Sequence, residues 1–272
     1  ISVSGLDSAG TLRLRTSGTN TTVGSSTVNN GNNQDITLNL TGSAGYLAMT
    51  FVASSGGTIT FNSIKVLPKS GFVETWYDQS GNSKDATQAT ASLQPKIVDA
   101  GSLLTDGIDF DGTSQAGLVT GSFSLTQAFT TFSVSHTDDA STSLGIWATA
   151  ASATSNFNTA SFFRNDDGLA VNAGTTLTTA GTIDYVADRT YLQTNVVNGG
   201  SSSIFVDGAT GATGNAGSTN PSGVLIIGYF KSGSYLNLDG AIKEFIIYDT
   251  DQTSNRAALE TNIAAANGVT LS

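Results

Sequence analysis

The chain has 272 residues, 21 of them acidic and 11 basic, for a formal charge of −10, and it contains no cysteine. Disulfides, thiolate metal sites and a cysteine nucleophile are excluded, and a polyanion with no Lys/Arg cluster is a poor partner for nucleic acid. Only 12% of residues are charged, against about a quarter in an average soluble domain. Gly, Ser, Thr, Asn and Ala take their place, which favours turns and strand faces over helical surfaces.

Residues 1–67 read as short alternating strands. Leu12 and Leu14 alternate with Arg13 and Arg15, and Asp35–Leu40, Tyr46–Val52 and Thr58–Val66 follow. Turn-forming clusters such as Asn29–Asn33 lie between them. This spacing predicts a small β-sandwich module over 1–67, with the boundary at Pro68-Lys69-Ser70-Gly71. The chain opens on Ile1 with no signal-peptide pattern, as expected for a processed form or the ordered part of something longer.

A second domain is predicted over 70–272. Its strands are expected at Phe72–Tyr77, Gly107–Phe110, Phe129–Val134, Ser161–Arg164, Thr190–Val196, Ser203–Val206, Val224–Gly228 and Ala241–Tyr248. Asp111-Gly112 and Asp207-Gly208 mark tight turns, because Gly accepts the positive φ required there. Short links between such strands imply antiparallel pairing in two packed sheets. One helix is expected at the end, capped by Thr253 or Ser254, with Leu259 and Ile263 on one face and Asn267-Gly268 as its stop. No apolar run approaches the roughly 20 residues of a membrane-spanning helix.

The residues that could carry chemistry are few. His136 is the only histidine, and without cysteines or a Gly-x-Ser-x-Gly elbow it reads as a surface or rim residue. Glycosidases require only two placed carboxylates. Glu74 and Glu244 fall within strand patterns, however, Glu260 reads as solvated on the helix, and Asp138-Asp139, Asp166-Asp167 and Asp249/Asp251 fall in loops. Loop carboxylates at Asp78, Asp109, Asp111, Asp138 and Asp166 could hold Ca²⁺, although no EF-hand spacing is present. Aromatic rings beside amides and carboxylates suit sugar binding. Trp76, Tyr77, Asp78, Gln79 and Asn82 form one such group. Tyr229 and Tyr235, in a Gly/Ser-rich stretch expected to be exposed, form another. Trp147, in an apolar segment, reads as core, and alternation could also send Trp76 there. Asn20-Thr21-Thr22 and Asn39-Leu40-Thr41 match the N-glycosylation pattern, as chance predicts in a chain this rich in Asn and Thr.

The stretch Phe72–Gln88, with Trp76-Tyr77-Asp78-Gln79-Ser80-Gly81-Asn82 at its centre, resembles a motif of concanavalin A-like (laminin-G-like) sandwich domains. Related forms are found in arabinofuranosidase B catalytic domains and in phage tail-fibre and other virion proteins. Gln94–Val98, Ile108–Gly112, Ile204–Gly208 and Asp239–Tyr248 continue the resemblance. It implies a two-sheet lectin-like sandwich. The arabinofuranosidase form also implies a mid-domain glutamate nucleophile, adjacent cysteines and an acidic residue after the late Gly-rich strand. Gly168–Gly174 contains no glutamate, the chain has no cysteine, and Tyr229-Phe230-Lys231 follows the late strand. The N-terminal module resembles, more loosely, small jelly-roll modules that accompany such domains.

The expectation is therefore an all-β, non-catalytic adhesion, glycan-recognition or structural module on a virion or extracellular surface, such as a head fibre, tail fibre or capsid decoration. Its partners would be host polysaccharide or other virion proteins, with no cofactor beyond optional Ca²⁺. A homo-oligomer, trimeric by analogy with fibre proteins, is expected. The alternatives are an arabinofuranosidase-like glycoside hydrolase and a Ca²⁺-stiffened bacterial adhesin.

Overall fold

The computed structural model describes residues 70–113, 117–139, 141–166 and 168–272, and the backbone of five strands before residue 61. The chain divides into two compact units, Ile1–Leu67 and Pro68–Ser272.

In the first unit Gly10–Thr16 lies between Thr22–Val28 and Leu47–Val52 in an antiparallel three-stranded sheet, and Ser2–Ser4 pairs with Thr58–Thr60. Leu12 stands opposite Phe51 and Leu14 opposite Met49, so the alternating residues are matched across the ladder. Thr22–Val28 was not expected from the sequence, because its Gly and Ser residues break the apolar alternation. The expected strand Asp35–Leu40, the Asn29–Asn33 turn and the end of Thr58–Val66 lie outside the described residues.

The second unit is the expected sandwich of two antiparallel sheets. One sheet runs Ser102–Leu103, Lys96–Asp99, Ile108–Asp111, Asp239–Tyr248, Phe129–Thr137, Tyr191–Val197, Ser202–Val206, Ala209–Gly214, with Ser70–Phe72 also paired to Lys96–Asp99. The other runs Thr176–Thr178, Leu169–Asn172, Phe157–Phe163, Leu144–Ala150, Ser222–Ile227, Leu118–Ser124, Ala86–Thr87, Thr75–Trp76. Phe110, Phe129, Trp147, Phe163, Tyr191 and Ile242 are among the residues that fill the space between them. The expected strand Phe72–Tyr77 is divided, its first residue in one sheet and Thr75–Trp76 in the other.

Both sheets are also covered on their outer faces. The helix Arg256–Asn267 packs Leu259, Ile263 and Ala264 against Phe132, Val134, Leu192 and Ile246 of the nine-stranded sheet. Gly268, left-handed at φ 71°, ends the helix as expected. Its N-cap is Asn255, one residue past the expected Ser254, and makes no side-chain capping bond. A hairpin of Tyr229–Ser232 and Ser234–Asn237 covers the outer face of the eight-stranded sheet. Phe230 packs there with Ala148, Ala160 and Leu236. This double cover explains why Leu144–Ala150 and Tyr191–Val197 are buried at every position and show no simple inside–outside alternation.

Candidate functional site

A cleft of about 450 Å³ opens on the outer face of the nine-stranded sheet, beyond the area under the helix. Its floor is a single cross-strand row. Lys96 stands opposite Asp109, Asp109 opposite Ala241, and Ala241 opposite His136. Directly opposed residues of antiparallel strands project to the same face. The intervening Ile97, Ile108, Phe110 and Ile242 project into the core. Ala241 is the small residue of the row and leaves room at its middle. A β-bulge sets this arrangement. Val134 pairs with Glu244 but Ser135 pairs with Ile242, so Lys243 is an extra residue that turns Ile242 into the core and Ala241 to the outward face beside His136.

Asp99, Leu104, Asp106 and Gly107, together with Asp138, Asp188 and Thr190, complete the lining. The Asp188 N–H donates to the Thr137 carbonyl at 2.8 Å and the Asp138 N–H to the Asp239 carbonyl at 2.8 Å, tying both residues to the sheet. The charges are partly paired. Lys96 Nζ lies 3.8 Å from both Asp99 and Asp109, His136 Nε2 lies 3.2 Å from Asp138 Oδ1, and Lys243 Nζ lies 3.8 Å from Asp106. Burial pushes the Asp109 carboxyl above its ordinary range; Lys96 opposes this and the Asp138 charge adds to it. Asp239 is also raised, first by burial and then by Asp138, Asp139, Asp109 and Asp111.

The rim is apolar. Phe72 stands opposite Lys96 and is 52% exposed, and Leu103 stands opposite Val98 and is 70% exposed. Val186, 57% exposed, lies on the segment that supplies Asp188 and Thr190. Of the four large hydrophobic side chains exposed among the described residues, Leu103 and Val186 lie on segments that supply lining residues, Phe72 stands opposite the lining residue Lys96, and Tyr77 is the fourth. Single exposed apolar residues need no explanation, but several bordering one polar depression mark a contact surface.

No protein-family model matches the chain, and no curated protein matches it in sequence. Among solved structures it is similar to a sialidase from Trypanosoma rangeli at 15% identity and TM-score 0.49, over 71% of this chain and 31% of the sialidase. It is similar to a heptameric SAP-like pentraxin from Limulus polyphemus at 15% identity and TM-score 0.45, over 58% of this chain and 82% of the pentraxin. A candidate carbohydrate-binding protein from Bacteroides ovatus, also at 15% identity and TM-score 0.45, covers 90% of this chain and 64% of its own.

The residues singled out in the sequence do not form one site. Trp76 is half-buried against the core, whereas Tyr77 is 66% exposed. The polar residues after them build their own loop. Asp78 accepts from the backbone N–H of Ser80 at 2.8 Å and of Lys84 at 3.0 Å, which lowers its pKa, with the Ser80 side chain contributing most. Asn82 donates to Ser80 Oγ at 2.9 Å, Gln79 donates to the Tyr77 carbonyl at 3.1 Å, and Lys84 Nζ reaches the Ser122 carbonyl at 2.8 Å. The recognisable motif thus shapes a loop and fastens it to the eight-stranded sheet.

Three expectations are corrected. Tyr229, expected to be exposed, is 3% exposed; its hydroxyl donates to the Ala153 carbonyl at 3.2 Å and burial pushes its pKa up to about 12. Its stretch is a hairpin strand and not a loop, and Tyr235, half-buried beside it at 6.0 Å between ring centres, lies under Lys231. Glu260, expected to be solvated, is buried under the helix. His136 is a floor residue of the cleft, with its side chain 14% exposed.

Of the aspartates considered for Ca²⁺, Asp109 and Asp138 line the cleft, and Asp111 adds to the field at Asp109. Asp166 is paired with Arg164 at 2.8 Å. Among the described residues no three His, Cys, Asp or Glu side chains are grouped as a metal ion would require. Sequence reasoning missed Lys96, Phe72, Leu103, Asp188 and Thr190. Register alone brings the first of these to the site, and no local pattern signals it.

Proposed function

We propose that Pro68–Ser272 is a non-catalytic glycan-recognition module that binds a surface polysaccharide through the cleft above the Lys96–Asp109–Ala241–His136 row. The observation that carries this reading is a polar lining with exposed apolar side chains close by in register or sequence, at Phe72, Leu103 and Val186. Sugars present hydroxyls at their edges and C–H groups on their faces, so a site that combines hydrogen-bonding side chains with an exposed ring matches both. Five aspartates line the cleft, and four of them are held in ion pairs: Asp99 and Asp109 with Lys96, Asp106 with Lys243, and Asp138 with His136. Carboxylates engaged in this way suit hydrogen bonding to sugar hydroxyls. We place the chain on a virion or other extracellular surface, where it would meet host polysaccharide; the low charge content and the Gly-, Thr- and Asn-rich composition support that setting.

A glycan array probed with the whole chain, followed by titration of any retained glycan against Phe72→Ala and Lys96→Ala, tests the reading. Each variant should bind at least about tenfold more weakly, the equivalent of about 1.4 kcal/mol. Retention of no glycan, or undiminished binding by both variants, would reject the cleft as a glycan site. Hydrolysis of a retained glycan would replace the non-catalytic reading.

A further inference from the structure

The interior of the sandwich is not uniformly apolar. Thr131 and Ser133, Gln193 and Asn195, and Thr159 and Ser161 come from three strands, and all are fully buried. Asn195 bridges the sheets: its Nδ2 donates to Thr131 Oγ1 at 3.2 Å and to Ser161 Oγ at 3.3 Å. Ser161 in turn donates to the Ala170 carbonyl at 3.1 Å, and Gln193 Nε2 donates to Asn195 Oδ1 at 2.9 Å.

Gln193 Oε1, Ser133 Oγ and Trp147 Nε1, at the same seam, are buried without a protein partner. These residues are neighbours. Ser133 stands directly opposite Gln193 on one side and Phe245 on the other, and the Phe245 ring lies 5.9 Å from that of Trp147. Trp147 in turn stands opposite Ser161, the residue that Asn195 reaches across the seam.

The kinds of atom decide what can satisfy them. An amide oxygen only accepts, an indole N–H only donates, and a hydroxyl does both. A cation held by the two oxygens would be repelled by the indole N–H, and an anion held by the N–H would be repelled by the amide oxygen. A water molecule can accept from the indole while donating to the amide oxygen, and buried waters typically have roughly two to four such partners. We infer that the seam between the sheets is a built hydration site, in which Gln193 Oε1, Ser133 Oγ and Trp147 Nε1 hold ordered water beside the Asn195 bridge. The strand that carries Ser133 also carries His136, so this hydrated seam lies behind the floor of the candidate cleft.

A crystal structure of the whole chain at atomic resolution tests this directly. Ordered water within hydrogen-bonding distance of Gln193 Oε1 and Trp147 Nε1 is expected. A dry seam, or direct protein partners for these atoms, would overturn the inference. In solution, magnetic relaxation dispersion of water should report long-lived internal molecules, and Gln193→Met should reduce that signal. An unchanged signal in a folded variant would also overturn it, and the wild-type crystal decides the matter if the variant does not fold.

Discussion

Glu260 Oε1 accepts a 2.7 Å hydrogen bond from the Thr194 hydroxyl, joining the C-terminal helix to the centre of the nine-stranded sheet. The other carboxylate oxygen is paired with Arg256, whose guanidinium lies 3.8 Å above the Phe205 ring. Glu260→Ala would strand the Thr194 hydroxyl and the arginine together, and should cost about 3 kcal/mol in urea unfolding. Glu260→Gln keeps an acceptor for Thr194 and should cost less. Burial holds the Glu260 carboxyl above its usual range despite Thr194 and Arg256. A folded-state value above the unfolded one means that protonation favours the fold, so this contribution is present in acid and lost as pH rises through the folded value. The stability gap between wild type and Glu260→Gln should therefore shrink as pH rises from the carboxylate range. A pH-independent gap would count against it.

Asp109 obeys the same sign, since burial raises its carboxyl against the pull of Lys96. Asp109→Asn removes a charge that the cleft floor holds at a cost. It should raise the neutral-pH melting temperature, by no more than about 1 kcal/mol of stability because the site is partly solvated. Lowering the pH should close the difference as the wild-type carboxyl takes up its proton. Glycan retention by the variant should fall, the usual trade at a binding site. A variant less stable than wild type at pH 7 would refute the assignment.

How much was legible follows from what is local. The alternation of Ile108-Asp109-Phe110, the apolar Phe129–Val134 stretch and the Leu259/Ile263 spacing each specify an element within a few residues, and each formed as expected. The cleft was not legible, because Lys96, Asp109, Ala241 and His136 meet only through the register of four strands and the bulge at Lys243. Glu260 was misread because helical spacing identifies the apolar face but not a carboxylate beside it whose partners lie on another element. The Tyr229–Asn237 hairpin was misread because its Gly and Ser residues suit a loop, whereas Tyr229 and Phe230 are what hold it against the sheet.

Tyr229 gives the sharpest separation between core and site. Tyr229→Phe loses the bond to the Ala153 carbonyl and should cost about 1 kcal/mol, with glycan binding unchanged. Spectrophotometric titration should show one phenol fewer ionising in the ordinary tyrosine range, because this group is pushed up to about 12. A variant that loses glycan affinity while keeping wild-type stability would return Tyr229 to the binding surface.

Gly228 is the joint on which that hairpin depends. It lies between the Ser222–Ile227 strand and the Tyr229–Ser232 strand, donates to the Ile146 carbonyl at 2.8 Å and accepts from the Leu238 N–H at 2.8 Å. Its φ of +92° is a conformation that other residues adopt only with strain, and a Cβ there would lie 2.2 Å from the Phe110 ring. Phe110 is itself 1% exposed and belongs to the opposite sheet, so the ring has little room to retreat. Gly228→Ala should therefore cost about 3 kcal/mol from strain and overpacking together. It should also loosen the hairpin selectively. Hydrogen exchange should quicken at Leu238 and along Tyr229–Asn237 well before the Phe129–Thr137 strand, whereas uniform loss of protection would show that the glycine supports the whole sandwich.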